Sequence, residues 1–284
     1  MDSSSDLLRD SGPIRRAGAP ALYSYSSFPQ VAPTVVVGVL HGYGDHASRY
    51  AHVMDAWAKR GIGSVALDMR GHGRAKGQRG YCDRFDDYLD DAAVLSRIVH
   101  ERAPGVPSLL FGHSFGGLVA TSFVLAEPAS WRGLILSAPY FGTALKVPAV
   151  KRFAGKIASR VLPRLALPMG FHGRDVTHDP VRAREYDEDP LAFTKATARW
   201  FIEAGLAQGR VFARAHSLTI PLYLVMGTAD PIAEVSAAQS VFNAVGSKDK
   251  TLDLREGLFH EPLSEPAWPQ IADALANWIL AHAS

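Results

Sequence analysis

Two rhythms of apolar residues alternate along this chain. Short continuous runs rich in Val, Ile and Leu fall at residues 34–40, 63–68, 109–112, 134–139, 222–227 and 250–254. Runs of that length and composition read as strands buried on both faces. A weaker strand is expected over 21–28. Between the runs, apolar residues recur at helical spacing over 50–60, 85–103, 116–125 and 268–282. Strands alternating with helices predict an α/β chain, with a mostly parallel central sheet covered by helices on both faces.

The alternation breaks once. Over residues 142–216 no buried strand pattern appears, only helical and loop patterns, and this reads as a helical cap or lid inserted between two strands of the core. Inside it Val150, Phe153, Ala154, Ile157, Ala158, Val161, Leu162 and Leu165 repeat at helical spacing, with Lys151, Arg152, Lys156, Arg160 and Arg164 on the opposite face. Such a helix either packs as part of the cap with its basic face solvated, or touches a membrane or micelle surface. Asp189-Pro190 is expected to start a second cap helix, as N-cap and first-turn residues. Residues 1–20 read as a flexible tail, which leaves 21–141 and 217–284 as the core.

Composition narrows the class. The chain is 47% hydrophobic and 10% aromatic, with 30 basic against 28 acidic residues. A net charge of +2 argues against a nucleic-acid partner. A lone cysteine, Cys82, offers neither a disulfide framework nor a cysteine metal site. Residues 1–20 contain no apolar segment of the secretion-signal type, and no apolar run is long enough to span a bilayer. A cytoplasmic location is expected, with peripheral membrane contact through the cap as an open alternative. His41, His46, His72 and His113 match no metal-ligand spacing, so no metal or other cofactor is expected. Asp83, Asp86, Asp87, Asp90 and Asp91 fall in the first turns of one helix and are expected to form a solvated face.

The chemistry gathers around Gly112-His113-Ser114-Phe115-Gly116, where an apolar run meets a helical segment. G-x-S-x-G at such a junction is the pattern of a nucleophile elbow, a tight turn that lifts a serine hydroxyl above the sheet edge. A serine needs a base, and the base needs an orienting acid. The chain order expected for this architecture is Ser, acid, His. Asp230 follows the run ending at Gly227, and His260 follows the run ending at Leu254. Residues after the strand at 134–137 contain no acid to compete with Asp230. The oxyanion donors expected are the backbone N–H groups of Phe115 and of Tyr43, in the loop after the first long strand.

Together these stretches resemble the α/β-hydrolase superfamily, and within it the monoacylglycerol lipase and lysophospholipase group of the serine aminopeptidase S33 type. His41-Gly42-Tyr43-Gly44-Asp45-His46 followed by Arg49-Tyr50 is similar to that group's HG-x-G-E-H…RY signature. Asp68-Met69-Arg70-Gly71-His72-Gly73 with Gly77, and Gly112–Gly117, resemble two further signatures. Leu162-Pro163, Asp175 to Asp179 and Tyr186 to Leu191 resemble the group's cap. The resemblance implies an α/β-hydrolase fold and hydrolysis of a monoacylglycerol to glycerol and a fatty acid by the Ser114, His260 and Asp230 triad. It also implies that Asp45, Arg49, His113 and Tyr186 hold the glycerol. Asp45 stands where the group has Glu, and Glu261-Pro262-Leu263 departs from the mammalian pattern after the catalytic histidine. Lysophospholipase, general carboxylesterase and thioesterase are the enzymatic alternatives, and a binding protein on a hydrolase fold the non-enzymatic one. The oligomeric state is not readable.

Overall fold

The computed structural model describes residues 7–144 and 149–283, without the side chains of 149–153. The start of the expected tail, residues 145–148 of the expected cap, and the side chains of Val150, Lys151, Arg152 and Phe153 lie outside the described residues. Chain order begins with strands β1 (Leu7–Ile14), β2 (Leu22–Pro29) and β3 (Val35–Leu40), helix α1 (Ala51–Ala58), β4 (Ile62–Asp68) and α2 (Asp86–Arg102). Then come β5 (Ser108–His113), α3 (Phe115–Ala126), β6 (Gly133–Ser137) and α4 (Ala149–Val161). Next are β7 (Ala166–Pro168), α5 (Gly173–Val176), α6 (Pro180–Glu188), β8 (Lys195–Thr197) and α7 (Ala198–Arg214). The chain closes with β9 (Leu222–Gly227), α8 (Val235–Ala244), β10 (Lys250–Arg255) and α9 (Trp268–Ala281).

Eight strands form one sheet in the order β1-β2-β4-β3-β5-β6-β9-β10. β1 and β2 pair antiparallel, as do β2 and β4, and every other neighbour is parallel. Side-chain alternation divides the apolar strand residues between two cores. In β3, Val35, Val37 and Val39 point into one and Val36 and Leu40 into the other. In β9, Tyr223 and Val225 join the first and Leu222, Leu224 and Met226 the second. Helices α1 and α9 cover the first core, where the Trp57 indole N–H donates to Ala272 O at 3.1 Å. Helices α2, α3, α7 and α8 cover the second. The fold is thus the mostly parallel, helix-covered sheet that the alternation of strands and helices predicts, in keeping with the α/β-hydrolase fold that the resemblance implies.

Four expectations need correction. The tail contains β1, which pairs with β2 from Leu7↔Pro29 to Ile14↔Leu22. This is an edge strand held mainly by its backbone, so its polar, mostly exposed residues carry no apolar signal. The cap is not purely helical, because β7 and β8 pair antiparallel within it as a three-residue ladder. Asp189-Pro190 starts no helix. Instead Asp179 caps α6, accepting from Val181 N at 2.9 Å and Arg182 N at 3.2 Å with Pro180 in the first turn, and Asp189 lies at the far end of that helix. The same Asp-Pro signal occurs at two places ten residues apart, and the structure uses the first for the helix.

The acidic run is also not uniformly solvated. Asp91 is fully buried. It accepts from Arg16 Nη1 at 2.7 Å, Arg70 Nη2 at 2.8 Å and Arg70 N at 2.8 Å. This carboxylate fastens the segment after β1 and the loop after β4 onto α2. In the cap, Ile157, Val161, Leu162 and Leu165 are exposed beside Lys156, Arg160 and Arg164, so neither the second half of α4 nor the turn after it buries an apolar stripe.

Replacing Asp91 by Ala leaves two guanidinium groups without their buried partner, and removal of one member of a buried pair costs about 3–5 kcal/mol. Urea unfolding should show a loss of that size for Asp91→Ala. Asp90→Ala, on the exposed face of the same helix, should change stability by no more than about 0.5 kcal/mol.

Candidate active site

The site sits where the parallel strands end. Strand β5 turns into α3 through Ser114, whose backbone lies at φ 52° and ψ −119°, outside the range an ordinary residue prefers. The turn is held from both sides: Ser114 N donates to Ser137 O at 2.9 Å, and Tyr140 N donates to Ser114 O at 3.0 Å. The flanking glycines are needed for room. A Cβ on Gly112 would lie 2.4 Å from Gly116 O, and one on Gly116 would lie 2.4 Å from both Leu40 O and His41 O. The elbow is therefore packed directly against the end of β3.

Ser114, His260 and Asp230 are brought together from three separate strand ends. His260 Nε2 and Ser114 Oγ are 2.8 Å apart, and His260 Nδ1 is 2.7 Å from Asp230 Oδ2. The other Asp230 oxygen accepts from Ile232 N at 2.8 Å and Ala233 N at 2.9 Å, so the carboxylate cannot turn. Burial pushes the His260 pKa down, but the Asp230 charge, its hydrogen bond and the Glu261 charge more than reverse this, and the net direction is up.

The loop after β3 packs beneath the same cavity. Met69 N–H donates to His41 Nε2 at 3.0 Å, which leaves His41 Nδ1 as the protonated nitrogen. That nitrogen donates to Gly42 O at 2.7 Å and fixes the peptide that carries the Tyr43 N–H. Phe115 is the first residue of α3, so its N–H is among those a helix cannot satisfy internally. The Tyr43 ring stacks on Trp200 with centroids 3.6 Å apart, and its hydroxyl donates to Gly80 O and Lys195 O, both at 3.1 Å. Asp68, at the end of β4, accepts from Ala47 N and Arg74 N and joins the loops after β3 and β4.

Asp45, His113 and Tyr186 line the same cavity as Ser114, Tyr43, Phe115 and His260. Arg49 lines an adjoining hollow together with Asp45, His113 and Glu261. Its guanidinium is forked onto Glu261, Nη1 to Oε1 at 2.9 Å and Nη2 to Oε2 at 2.8 Å, and Nη1 also reaches Asp45 Oδ1 at 3.0 Å. The Tyr186 ring lies 5.0 Å from that guanidinium. Burial and the nearby His260 push the His113 pKa down to about 4, so this ring is neutral at neutral pH. The cavity's other wall is apolar, with Met169, Phe171, Val176, Trp200 and Ile232, and its free volume is about 60 Å³.

Two buried carboxylates were not among the expected site residues. Glu261 follows His260 directly, and the HE dipeptide offered its signal only as a departure from a pattern. Glu265 is fully buried and takes Phe259 N at 2.8 Å, His178 N at 2.9 Å and the Thr177 hydroxyl at 3.3 Å. It ties the loop bearing His260 to the segment between α5 and α6. The Glu261 N–H adds a bond to Val176 O at 2.9 Å.

Residues 31–267 match the family described as "Serine aminopeptidase, S33", Hydrolase_4. Among curated relatives, a monoacylglycerol lipase of Mycolicibacterium smegmatis is 29% identical over 255 residues, covering 89% of this chain and 91% of that protein. Phospholipase YtpA of Bacillus subtilis is 29% identical over 241 residues, covering 82% of this chain and 90% of its own length. Among solved structures, a soluble variant of monoglyceride lipase from Saccharomyces cerevisiae in complex with a substrate analogue superposes with a TM-score of 0.86 at 18% identity. That match covers 98% of this chain and 96% of the yeast chain, and it concerns the fold.

A raised His260 pKa means that the ring holds its proton to a higher pH than an ordinary histidine, so it should become neutral only above about 6.5. NMR titration of the imidazole nitrogens should show this. Asp230→Asn removes the main opposing charge and should move the His260 midpoint below that value.

Proposed function

This chain belongs to the serine aminopeptidase S33 family and is a carboxylic ester hydrolase, and we propose that it cleaves glycerol monoesters of fatty acids through an acyl-enzyme on Ser114. The hydrogen-bonded series Ser114–His260–Asp230 at the floor of a mainly apolar cavity with one polar end is the observation that carries this reading.

In the proposed cycle, His260 Nε2 takes the Ser114 proton as Oγ bonds to the ester carbonyl carbon. The carbonyl oxygen becomes an oxyanion and receives the N–H groups of Tyr43 and Phe115. Loss of one such donor costs about 3–4 kcal/mol of transition-state stabilisation. His260 returns the proton to the alcohol oxygen as the acyl–oxygen bond breaks. Water then attacks the acyl carbon, giving a proton to His260, which returns it to Ser114 Oγ as the acyl–Oγ bond breaks and the fatty acid leaves. Asp230 holds the tautomer and stabilises the imidazolium. Neither step calls on a metal or an organic cofactor.

The alcohol sits at the polar end, with Asp45, His113 and Tyr186, and the acyl chain along Met169, Phe171, Val176 and Trp200. In this reading residues 142–216 form the lid over the acyl side, supplying Met169, Phe171, Val176 and Trp200 to the cavity wall. The YtpA relative keeps a phospholipase as the second reading. No helix among the described residues is long and apolar enough to cross a membrane. The exposed Val161, Leu162 and Leu167 beside Arg160 and Arg164 support peripheral contact of the cap with a lipid surface.

Purified protein should release fatty acid from monoacylglycerols and short p-nitrophenyl esters. Ser114→Ala should reduce both rates by at least about a thousandfold with the fold retained, and persistent turnover would exclude this serine. In co-sedimentation with anionic vesicles, binding should weaken at high salt and in a Val161→Glu, Leu162→Glu double variant. Equal sedimentation of both proteins would remove the membrane contact from the account.

A further inference from the structure

The alcohol end of the cavity carries an excess of negative charge. Asp45 and Glu261 are both buried there, and Arg49 stands between them. A third carboxylate, Asp230, lies behind His260. Among the described residues that line the cavity and its adjoining hollow, Arg49 is the one lysine or arginine. Of the histidines there, burial lowers the pKa of His113 and His52, so neither offsets the imbalance. His260 is shifted up, but the form that acts as base is neutral. Asp45 and Glu261 are held below the usual carboxylate range, against the effect of their burial, by Arg49 above all.

Arg49 is also not available to an anion. Its two terminal nitrogens are forked onto Glu261, one of them also binds Asp45, and Tyr186 covers it. A phosphate that took this guanidinium would have to displace Glu261, leaving a buried carboxylate unpaired beside a new anion. Beside the neutral His113 ring and the Tyr186 hydroxyl, the charged groups that face a leaving alcohol are therefore carboxylates, whose oxygens accept hydrogen bonds from hydroxyl or ammonium groups.

Resting on the reading of Ser114 as the nucleophile and of this end as the alcohol site, we propose that Glu261, with Asp45, makes the enzyme select neutral or cationic leaving alcohols and reject anionic ones. Glu261 is then a specificity-determining residue, and esters of phosphorylated glycerol, as in lysophospholipids, are poor substrates. At about 4 Å, two like charges in a partly buried site repel strongly enough to change a rate constant by a hundredfold or more.

Four decanoyl esters test this, differing only in the alcohol: ethanol, glycerol, choline and glycerol 3-phosphate, each below its micelle concentration. The wild-type kcat/KM for the glycerol ester should exceed that for the glycerol 3-phosphate ester by about a hundredfold or more, with the choline ester accepted. Glu261→Gln and, separately, Asp45→Asn should each narrow that ratio by about tenfold. Because the ratio is taken within one protein, a general loss of activity in a variant cancels. A wild-type ratio within about threefold of unity overturns the proposal, and so does a ratio that neither variant changes. A glycerol ester cleaved no better than the ethyl ester would count against the monoacylglycerol reading alone, since the order of charged against neutral alcohols is still measured.

Discussion

The close approach of the Ser114 turn to the end of β3 is the constraint on which the site depends. Backbone oxygens of Leu40 and His41 lie where a side chain on residue 116 would be, and Gly116 O where one on residue 112 would be. That contact is compatible only with glycine at both places, and it sets Ser114 in a positive-φ backbone. The strain is offset by two hydrogen bonds on the serine's own N–H and C=O and by a sheet core that leaves the ends of β5 and β3 nowhere to move. With the serine fixed, His260 and Asp230 have to arrive from separate loops: Asp230 is held by the N–H groups of Ile232 and Ala233, and the loop bearing His260 by the Glu265 carboxylate, which takes the Phe259 N–H.

Buried charge organises what surrounds the elbow. Asp91 holds the segments after β1 and β4, Asp68 the loops after β3 and β4, Asp230 the imidazole, and Glu265 the join between the histidine loop and the cap. Each carboxylate takes at least one backbone N–H, which is what makes a buried anion tolerable. The pair Asp45 and Glu261 differs from these because one guanidinium serves both. The same arrangement that packs the wall of the cavity also sets the sign of its charge.

Much of this was legible in the residue pattern, for physical reasons that can be named. Strands buried on both faces have to be continuously apolar, so β3, β4, β5, β6 and β9 announced themselves, and the order of Ser114, Asp230 and His260 followed from which loops those strands feed. β1 was not legible because an edge strand needs only its backbone to pair. Asp189-Pro190 starts no helix because Asp-Pro is a local signal present at both 179 and 189, and only packing selects between them. Asp91 was invisible as a buried group, since its partners Arg16 and Arg70 are 75 and 21 residues away. Glu261 and Glu265 were missed for the same reason: a carboxylate in a loop reads as solvated until its distant donors are known.

The central claim is that Ser114 forms a covalent acyl intermediate. Rapid acid quench during turnover of a p-nitrophenyl ester, followed by mass measurement of the protein and its peptides, tests it most directly. The account predicts a burst of nitrophenol and a mass increase of one acyl group, confined to the peptide containing Ser114 and absent in Ser114→Ala. Turnover at the same rate with the acyl group on another residue, or catalysis undiminished in Ser114→Ala, would contradict it.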